Sequence, residues 1–514
     1  MADPAPSILA RTARGAFWVV GWRLATRLLG LVNTLILVRL LGPEDFGLIA
    51  LATTFAIALD ICLAIGVEEQ IIRAPSPSRA LYDTGFTLNL LRGLLVGALV
   101  ALAAAPAAEF FGDARLEPVL LALAVSAAIS GLASIGVADF RRNLQFEREF
   151  ALYIYPRFAS IVVAIGMAFL VRSHWALVAG IFVNRLGILG MGYAMHPWRP
   201  RLTLSAWREL AGISAWSWLL NLAITAKDRS ESLVIGRLMG TTPVGHYAVG
   251  AELATLPTTE LIDPICRACM PGFAASRRGE GASPAEDYLR IMALLALLTL
   301  PAGLGISAVA GPVVALGFGQ AWLEAVPVVA VLGLAGILTS FGNVSAAMLN
   351  AHARLATLVA IVVAAGVLRL GLLLVLVPAM GLPGAAIAVG LALLAEHVAL
   401  LLRGLGLVGL GLAPLLARLW RPAAAAALMA LLLWQAGLGW APPPGAAGQA
   451  VAPLLAAMAL GAGGYLAALS LFWAVSGRPA GAERDLFGLL WRLLGRLPLL
   501  RRLPVLRQAT EASR

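Results

Sequence analysis

The chain has 514 residues, of which 60% are hydrophobic and only 13% are charged. Soluble domains carry about 25% charged residues, so this composition excludes an ordinary soluble protein and predicts a polytopic membrane protein. The formal net charge of +11 does not indicate a nucleic-acid-binding protein, because the arginines sit in short loops between apolar runs. Three cysteines make no disulfide framework, and we expect no metal site and no cofactor.

Apolar runs long enough to cross a membrane, about 20 residues each, follow one another along nearly the whole chain. We therefore predict an all-α polytopic membrane protein with about 14 transmembrane helices. The connections between the runs are short, so no soluble domain is predicted. The predicted spans are 15–38, 46–66, 84–105, 117–138, 150–171, 174–194, 211–236, 246–266, 288–309, 325–348, 355–377, 382–402, 421–439 and 450–474.

The positions of the arginines predict the orientation of these helices. If the N-terminus is cytoplasmic, most arginines outside the spans fall in cytoplasmic segments. The positive-inside rule then predicts that both termini are cytoplasmic. The predicted outer loops hold Arg39, Arg115, Arg172 and Arg237. Beyond the last span, residues 483–497 alternate arginines with Leu, Phe and Trp, a pattern typical of an amphipathic helix on an anionic membrane surface.

Two short motifs recur in the sequence and indicate an internal repeat. The pattern R-L-x-G-x4-G-x2-A at 39–50 recurs at 237–248, and 112–117 is echoed at 319–324. Both echoes fall in outer loops after equivalent helices, so the two halves share one orientation. The repeat predicts two parallel six-helix bundles with a cavity between them. The expected segments are a first bundle at 1–208, a second at 209–404, an extra helix pair at 405–480 and a basic tail at 481–514.

The seventh predicted span carries an unusual cluster of charges. Lys227, the only lysine of the chain, is followed by Asp228, Arg229 and Glu231 at membrane depth. Charged residues inside a membrane are costly and usually face a bundle interior or a wet cavity. We therefore predict a polar cavity here. Two alternatives remain open: the helix ends early and the charges lie at the interface, or Lys227 and Glu231 pair with each other at i,i+4.

Other charged side chains within the spans extend this candidate site. Arginine's planar fork matches phosphate oxygens, so the surplus of cations suggests a phosphate or diphosphate ligand, and the acids are candidates for ion coupling. In the alternative interpretation the charges only neutralise one another and hold helices together. Arg157 and Arg185 also fall within spans. The candidate substrate-binding residues are Arg23, Arg27, Arg92, Lys227, Arg229 and Arg369; the candidate coupling or ion-pair residues are Asp60, Asp228, Glu231, Glu252 and Glu396.

Two segments resemble a known family of membrane proteins. The stretch GAFWVVGWRLATRLLGLVNTLILVRLLGPEDFGLIALA at 15–52, and the segment 231–274 with its IGRLMG and GHYAVG motifs, are similar to polysaccharide flippases. These are the Wzx-type transporters of the multidrug/oligosaccharidyl-lipid/polysaccharide exporter superfamily. Glu231 stands where that family usually has an aspartate. The resemblance covers roughly residues 10–400.

The resemblance implies a transporter rather than an enzyme. It implies movement of an undecaprenyl-diphosphate-linked oligosaccharide from the cytoplasmic to the periplasmic leaflet of a bacterial inner membrane, by alternating access of a V-shaped protein. The implied partners are the lipid-linked oligosaccharide and membrane lipids, with no nucleic acid. A coupling ion, H⁺ or Na⁺, and association with glycan polymerase machinery are left open.

Three other functions compete with this interpretation. A lipid II flippase shares the helix number and the cationic sites. A multidrug or cation antiporter of the same superfamily would more often have twelve helices and an acidic, aromatic cavity. A membrane-embedded glycan polymerase or ligase belongs to a different class; it would be expected to carry reactive side chains on a sizeable periplasmic loop, and the predicted outer loops are short.

Overall fold

A computed structural model describes residues 26–27, 29–63, 66–210, 215–276, 283–442, 447–479 and 481–484. Within the helix that crosses 259–276, only the backbone is described. All regular structure in these residues is helical; no β-strand occurs among them. The predicted all-α fold class is therefore confirmed.

The first half of the chain forms a series of long helices joined by short turns. Glycine or proline stands at most of these turns, where the chain must stop one helix and start the next. The helices are α1 (Leu29–Leu40), α2 (Pro43–Cys62), α3 (Val67–Arg73), α4 (Arg79–Phe111), α5 (Leu116–Gly131), α6 (Ala138–Arg142), α7 (Phe146–Val171), α8 (Trp175–Met195) and α9 (Trp207–Leu210).

The second half repeats the pattern and adds two helices at the end. Short 3₁₀ turns at Ile135–Val137, Gln320–Ala325 and Ala447–Ala450 join some of the long helices. The helices are α10 (Ala215–Met239), α11 (Thr241–Ser276), α12 (Pro284–Ala308), α13 (Ala310–Gly317), α14 (Val326–Ala351), α15 (Leu355–Met380), α16 (Leu382–Leu407), α17 (Leu412–Gln435) and α18 (Val451–Val475).

A helix stands at each of the predicted spans within the described residues. Ten of these helices are long and apolar enough to cross a membrane, or eleven if the bent pair Leu116–Gly131 and Ile135–Arg142 counts as one span. Helices α10 and α11, where the intramembrane charges cluster, are not among the ten. The chain is therefore a multi-pass membrane protein, and the count of fourteen stays a prediction.

Equivalent glycines of the repeat meet where the two halves cross. Gly47 of α2 and Gly245 of α11 occupy the same motif position, and their helices approach so closely that no side chain fits between them. A Cβ on Gly47 would overlap the backbone oxygen of Thr241, and a Cβ on Gly245 would overlap that of Pro43. Only glycine permits this approach of two backbones. The crossing lies at the predicted outer end of the bundle.

The repeated arginines also make equivalent contacts. Arg39 donates hydrogen bonds to the backbone oxygens of Leu316 and Gly317 at the end of α13. Its repeat partner Arg237 lies over the ring of Phe110, 5.0 Å from the ring centroid, at the end of α4. Phe110 and Gly317 are equivalent positions, each two residues before the second repeated motif. Each half therefore places its arginine on the same part of the other half, as expected of two repeats related by a twofold axis.

The last helix pair packs on the outside of the second half. Helices α17 and α18 contact each other and α12. The hydroxyl of Tyr465 donates to the backbone oxygen of Leu297 at 2.9 Å, and the buried Arg421 donates to Glu483 at 2.8 Å. The second contact fixes the chain just after α18. The predicted amphipathic tail helix lies outside the described residues from 485 onward.

Candidate functional site

A cavity lies within the first half, among α2, α4, α5, α7 and α8. Its volume is about 460 Å³. Three arginines reach it, Arg92, Arg157 and Arg185, against one acid, Asp60. Hydroxyl and amide side chains complete its polar wall: Asn33, Thr53, Ser126, Ser130, Ser160 and Asn184. The cavity is therefore basic and rich in hydrogen-bond donors.

The arginines of this cavity differ in how far they are neutralised. Arg92 forms an ion pair with Asp60 at 3.2 Å. Arg185 donates only to the neutral hydroxyl of Ser130, at 3.3 Å. The guanidinium of Arg157 lies above Gly30 of α1, where a Cβ would come within 3.5 Å of it. Positive charge thus exceeds negative charge on this wall, which favours an anionic ligand.

Beside this cavity, between the halves, lie two further residues predicted from the sequence, Glu252 and Arg27. Glu252, an exposed residue of α11, interacts electrostatically with Arg27, just before α1, and with Arg157. This acid comes from the opposite half and reduces the positive charge of both arginines. Arg23, the remaining predicted arginine of the first span, lies outside the described residues.

A second cavity of about 390 Å³ lies within the other half, and a buried ion pair forms part of its wall. The Nζ of Lys227 donates to both carboxylate oxygens of Glu396, at 2.8 and 2.7 Å, and lies 3.5 Å from Asp228. Lys227 is 9% exposed and Glu396 is 5% exposed. The expected i,i+4 pairing of Lys227 with Glu231 is wrong, because Glu396 of α16 reaches the ammonium directly from the facing helix.

Arg369 of α15 pairs with the other two acids of this network. Its guanidinium lies 3.2 Å from Asp228 and 3.5 Å from Glu231, and it also donates to the backbone oxygen of Lys227 at 3.2 Å. Arg229 has no ion-pair partner among the side chains that the structure describes. Lys227 and Arg369 thus face three carboxylates. These pairs favour the alternative interpretation for this cluster, in which the charges hold helices together.

The structure brings the predicted residues together as two groups rather than one. The repeat predicts a single cavity between the halves, whereas each described cavity lies inside one half. Arg157 and Arg185 line the basic cavity, although neither was among the candidate substrate-binding residues predicted from the sequence. Their position deep in α7 and α8, away from the interface, is the signal that could have identified them. Within the described residues no three metal-binding side chains come together.

Contacts between the halves close the predicted outer end above these cavities. The indole of Trp322 donates to the backbone oxygen of Val38 at 3.0 Å, and the hydroxyl of Thr241 donates to Asp113 at 3.1 Å. Burial alone would raise the pKa of Asp113, but hydrogen bonds from Arg115 lower it below its ordinary value. The carboxylate is therefore charged at neutral pH and holds both partners.

Comparison with known proteins identifies the family. A model of the family described as "Polysaccharide biosynthesis protein" matches residues 36–327. The lipopolysaccharide biosynthesis protein WzxC of Escherichia coli is 25% identical over 68% of this chain and 71% of that protein. The succinoglycan biosynthesis transport protein ExoT of Rhizobium meliloti is also 25% identical, over 65% of this chain and 68% of that protein.

Solved structures share the fold at low sequence identity. The lipid II flippase MurJ in an inward closed conformation has a TM-score of 0.70 at 13% identity, covering 90% of this chain and all of that one. An inward-facing multidrug transporter of the MATE family has a TM-score of 0.60 at 16% identity, covering 75% of this chain and 94% of that one. The two-bundle transporter fold predicted from the repeat is thus confirmed. The chain belongs to the polysaccharide biosynthesis protein family, as its resemblance to Wzx-type flippases predicts.

Proposed function

We propose that the protein moves a polyprenyl-diphosphate-linked oligosaccharide from the inner to the outer leaflet of a bacterial inner membrane. The observation that carries this proposal is the basic cavity of the first half, where the three arginines Arg92, Arg157 and Arg185 lie against Asp60, with Glu252 of the other half nearby. Such a wall suits a diphosphate, whose oxygens accept charge-assisted hydrogen bonds from guanidinium groups. The names of WzxC and ExoT, which refer to polysaccharide products, support a glycan carrier.

The apolar part of the substrate needs no cavity in this mechanism. A polyprenyl chain is soluble in the lipid core, and only the diphosphate and the sugars must be shielded from it. Desolvating the diphosphate is the costly step, because a charge at membrane depth needs compensating partners. Arginines that lack a full set of carboxylate partners supply that compensation when the lipid headgroup enters.

The contact between the two halves supports a mechanism of alternating access. Tight contact of α2 with α11 closes the predicted outer end, so release on that side requires the halves to separate there. The two halves would rock about the cavity region, as in other transporters built from repeats.

We also propose the orientation with both termini in the cytoplasm, which rests on the arginine distribution. The proposed division at residues 208, 404 and 480 rests on the repeat.

The ion pairs in the structure change which acids we propose as coupling residues. Lys227 and Arg369 already pair with Asp228, Glu231 and Glu396, so Na⁺ would have to compete with a resident cation for each of those carboxylates. We propose that these three acids are counter-ions. Asp60 and Glu252, which face the basic cavity, remain the candidates for coupling, and substrate binding is assigned to Arg27, Arg92, Arg157 and Arg185.

A binding measurement tests the role of the basic cavity. Undecaprenyl diphosphate is titrated into the detergent-purified full chain and into the Arg157→Gln and Arg185→Gln variants. Each variant should bind about 10- to 100-fold more weakly, since each loses hydrogen bonds to a charged group worth about 1.5–3 kcal/mol. Arg172→Gln, in a predicted outer loop away from the cavity, is the control and should bind as the native chain does. Native affinity in both cavity variants would refute this placement of the diphosphate.

The names of the relatives and the charge of the cavity bear on two of the competing functions. MATE is a transporter and MurJ a flippase by name, and ExoT is named a transport protein, which supports a transporter rather than a glycan polymerase or ligase. A basic cavity disfavours an exporter of organic cations, because like charges repel.

A further inference from the structure

The cavity of the second half carries a stripe of polar side chains on α14. Thr339, Asn343 and Asn350 line it at spacings of four and seven residues, which places them on one face of the helix. Both asparagine side chains are exposed. Among the side chains that the structure describes, neither amide has a hydrogen-bond partner. Asn343 lies within the predicted span 325–348 and Asn350 just beyond its end, so both amides are open to a ligand that enters the cavity.

The charged groups of the opposite wall already have partners. Glu396 pairs with Lys227, and Asp228 pairs with Arg369, which it shares with Glu231. His397 lies beside Glu396, is only 5% exposed, and its Nδ1 has no hydrogen-bond partner. The cavity therefore offers neutral donors and acceptors, whereas the cavity of the first half offers positive charge.

This chemistry matches a sugar. An asparagine amide supplies two donors and an acceptor, which fit the alternating donor and acceptor character of hydroxyl and N-acetyl groups. The volume of about 390 Å³ falls in the range of small-molecule sites, about 300–1,000 Å³. A lipid acyl chain would leave both amides unsatisfied.

We infer that this cavity is a subsite for the uncharged saccharide part of the substrate, and that Asn343 and Asn350 recognise the saccharide by hydrogen bonds. The inference rests on the proposed transport of a lipid-linked glycan. It divides the substrate between the halves: the first half binds the diphosphate through arginines, and the second half binds sugar hydroxyls through amides. Selection among glycans then takes place in the second half.

The test uses oligosaccharide freed of lipid and diphosphate. Lipid-linked oligosaccharide is extracted from the bacterium that carries this chain, cleaved with mild acid, and titrated into the detergent-purified full chain by calorimetry. The double variant Asn343→Ala/Asn350→Ala should bind at least tenfold more weakly than the native chain. Asn221→Ala is the matched control, because Asn221 is an exposed asparagine of α10 that does not line the cavity, and it should bind as the native chain does.

Thermal unfolding shows whether each variant is folded, and sugar-free undecaprenyl diphosphate shows whether the other subsite is intact. All three proteins should bind the sugar-free lipid equally. Native-like oligosaccharide binding by the double variant, no binding by the native chain, or an equal loss in Asn221→Ala would each overturn the subsite.

Failure of the proposed function has a different signature from failure of the subsite. If oligosaccharide binding depends on Asn343 and Asn350 but proteoliposomes move no lipid-linked glycan, the subsite stands and the flippase proposal falls. If the glycan is moved but its binding does not depend on these asparagines, the flippase proposal stands and the subsite falls.

Discussion

At the scale of single residues, Lys227 is held by a carboxylate from a distant part of the chain. Sequence spacing pointed to Glu231, four residues away, as its partner. Glu396 instead lies opposite on α16, and its two oxygens accept from the ammonium. A local sequence pattern does not predict which helices face each other. This pairing could therefore be identified only from the packing of the whole second half. A buried pair of this kind is more informative about helix arrangement than about ligand binding.

Removing one partner of this pair should be more damaging than removing both. Lys227→Met leaves Glu396 buried without its cation, and we expect it to lower stability by about 3–5 kcal/mol. The double variant Lys227→Met/Glu396→Gln should regain most of that loss. Thermal unfolding in detergent measures both, with Arg229→Met as a control that breaks no described ion pair. Full stability of Lys227→Met, accompanied by lost substrate binding, would instead restore Lys227 to the substrate site.

Asp113 links the halves at the predicted outer end and gives a pH-dependent prediction. A carboxyl whose folded pKa is lowered contributes stability above its unfolded pKa, about 3.9, and loses it as the pH falls through the folded pKa. Asp113→Asn should therefore lower stability by about 1 kcal/mol at pH 7. Near pH 3 the difference from the native chain should shrink. Unfolding midpoints at the two pH values test this, with exposed Glu109→Gln as control; a constant difference would contradict it.

At the scale of helices, the crossing of α2 and α11 depends on two glycines. Gly47→Ala or Gly245→Ala forces the backbones apart, and we expect each to lower stability by about 1–3 kcal/mol, as overpacking does. Gly190→Ala makes the same change on α8, where nothing lies within 4 Å of the added Cβ, and should be neutral or slightly stabilising. Unfolding midpoints compare the three. Equal behaviour at all three glycines would mean that the crossing is not tightly packed.

Much of this element-scale order could be predicted from the sequence. The motif shared by 39–50 and 237–248 predicted two parallel halves, and a helix stands at each apolar run that the structure describes. The ends were less accurate: the predicted spans 246–266 and 421–439 correspond to α11 (Thr241–Ser276) and α17 (Leu412–Gln435). The sequence did not reveal that Gly47 and Gly245 touch, because a repeat defines equivalence and not contact. Nor did it reveal that α10 turns its charges toward α15 and α16. Those facts depend on helix rotation, which apolar periodicity leaves undetermined when all faces are hydrophobic.

At the scale of the whole molecule, the halves share a fold but differ in electrostatics. The first half has a basic cavity. The second half has an ion-pair network, in which Lys227 and Arg369 face three carboxylates, beside a cavity lined by asparagine amides. In the proposed alternating-access mechanism, the substrate enters from the side opposite the predicted outer end. Opening at the outer end would separate the halves where α2 crosses α11, with the substrate bound across both halves.

The most direct test is transport itself. The native chain and the double variant Arg157→Gln/Arg185→Gln are reconstituted in proteoliposomes with a fluorescent undecaprenyl-diphosphate glycan, and its movement between leaflets is followed with and without a pH or Na⁺ gradient. We predict movement by the native chain, at least a tenfold slower rate in the double variant, and a native rate in Arg172→Gln. Native-rate movement in the double variant, or efflux of small organic cations by a native chain that moves no polyprenyl-linked glycan, would contradict a flippase with a cationic diphosphate site.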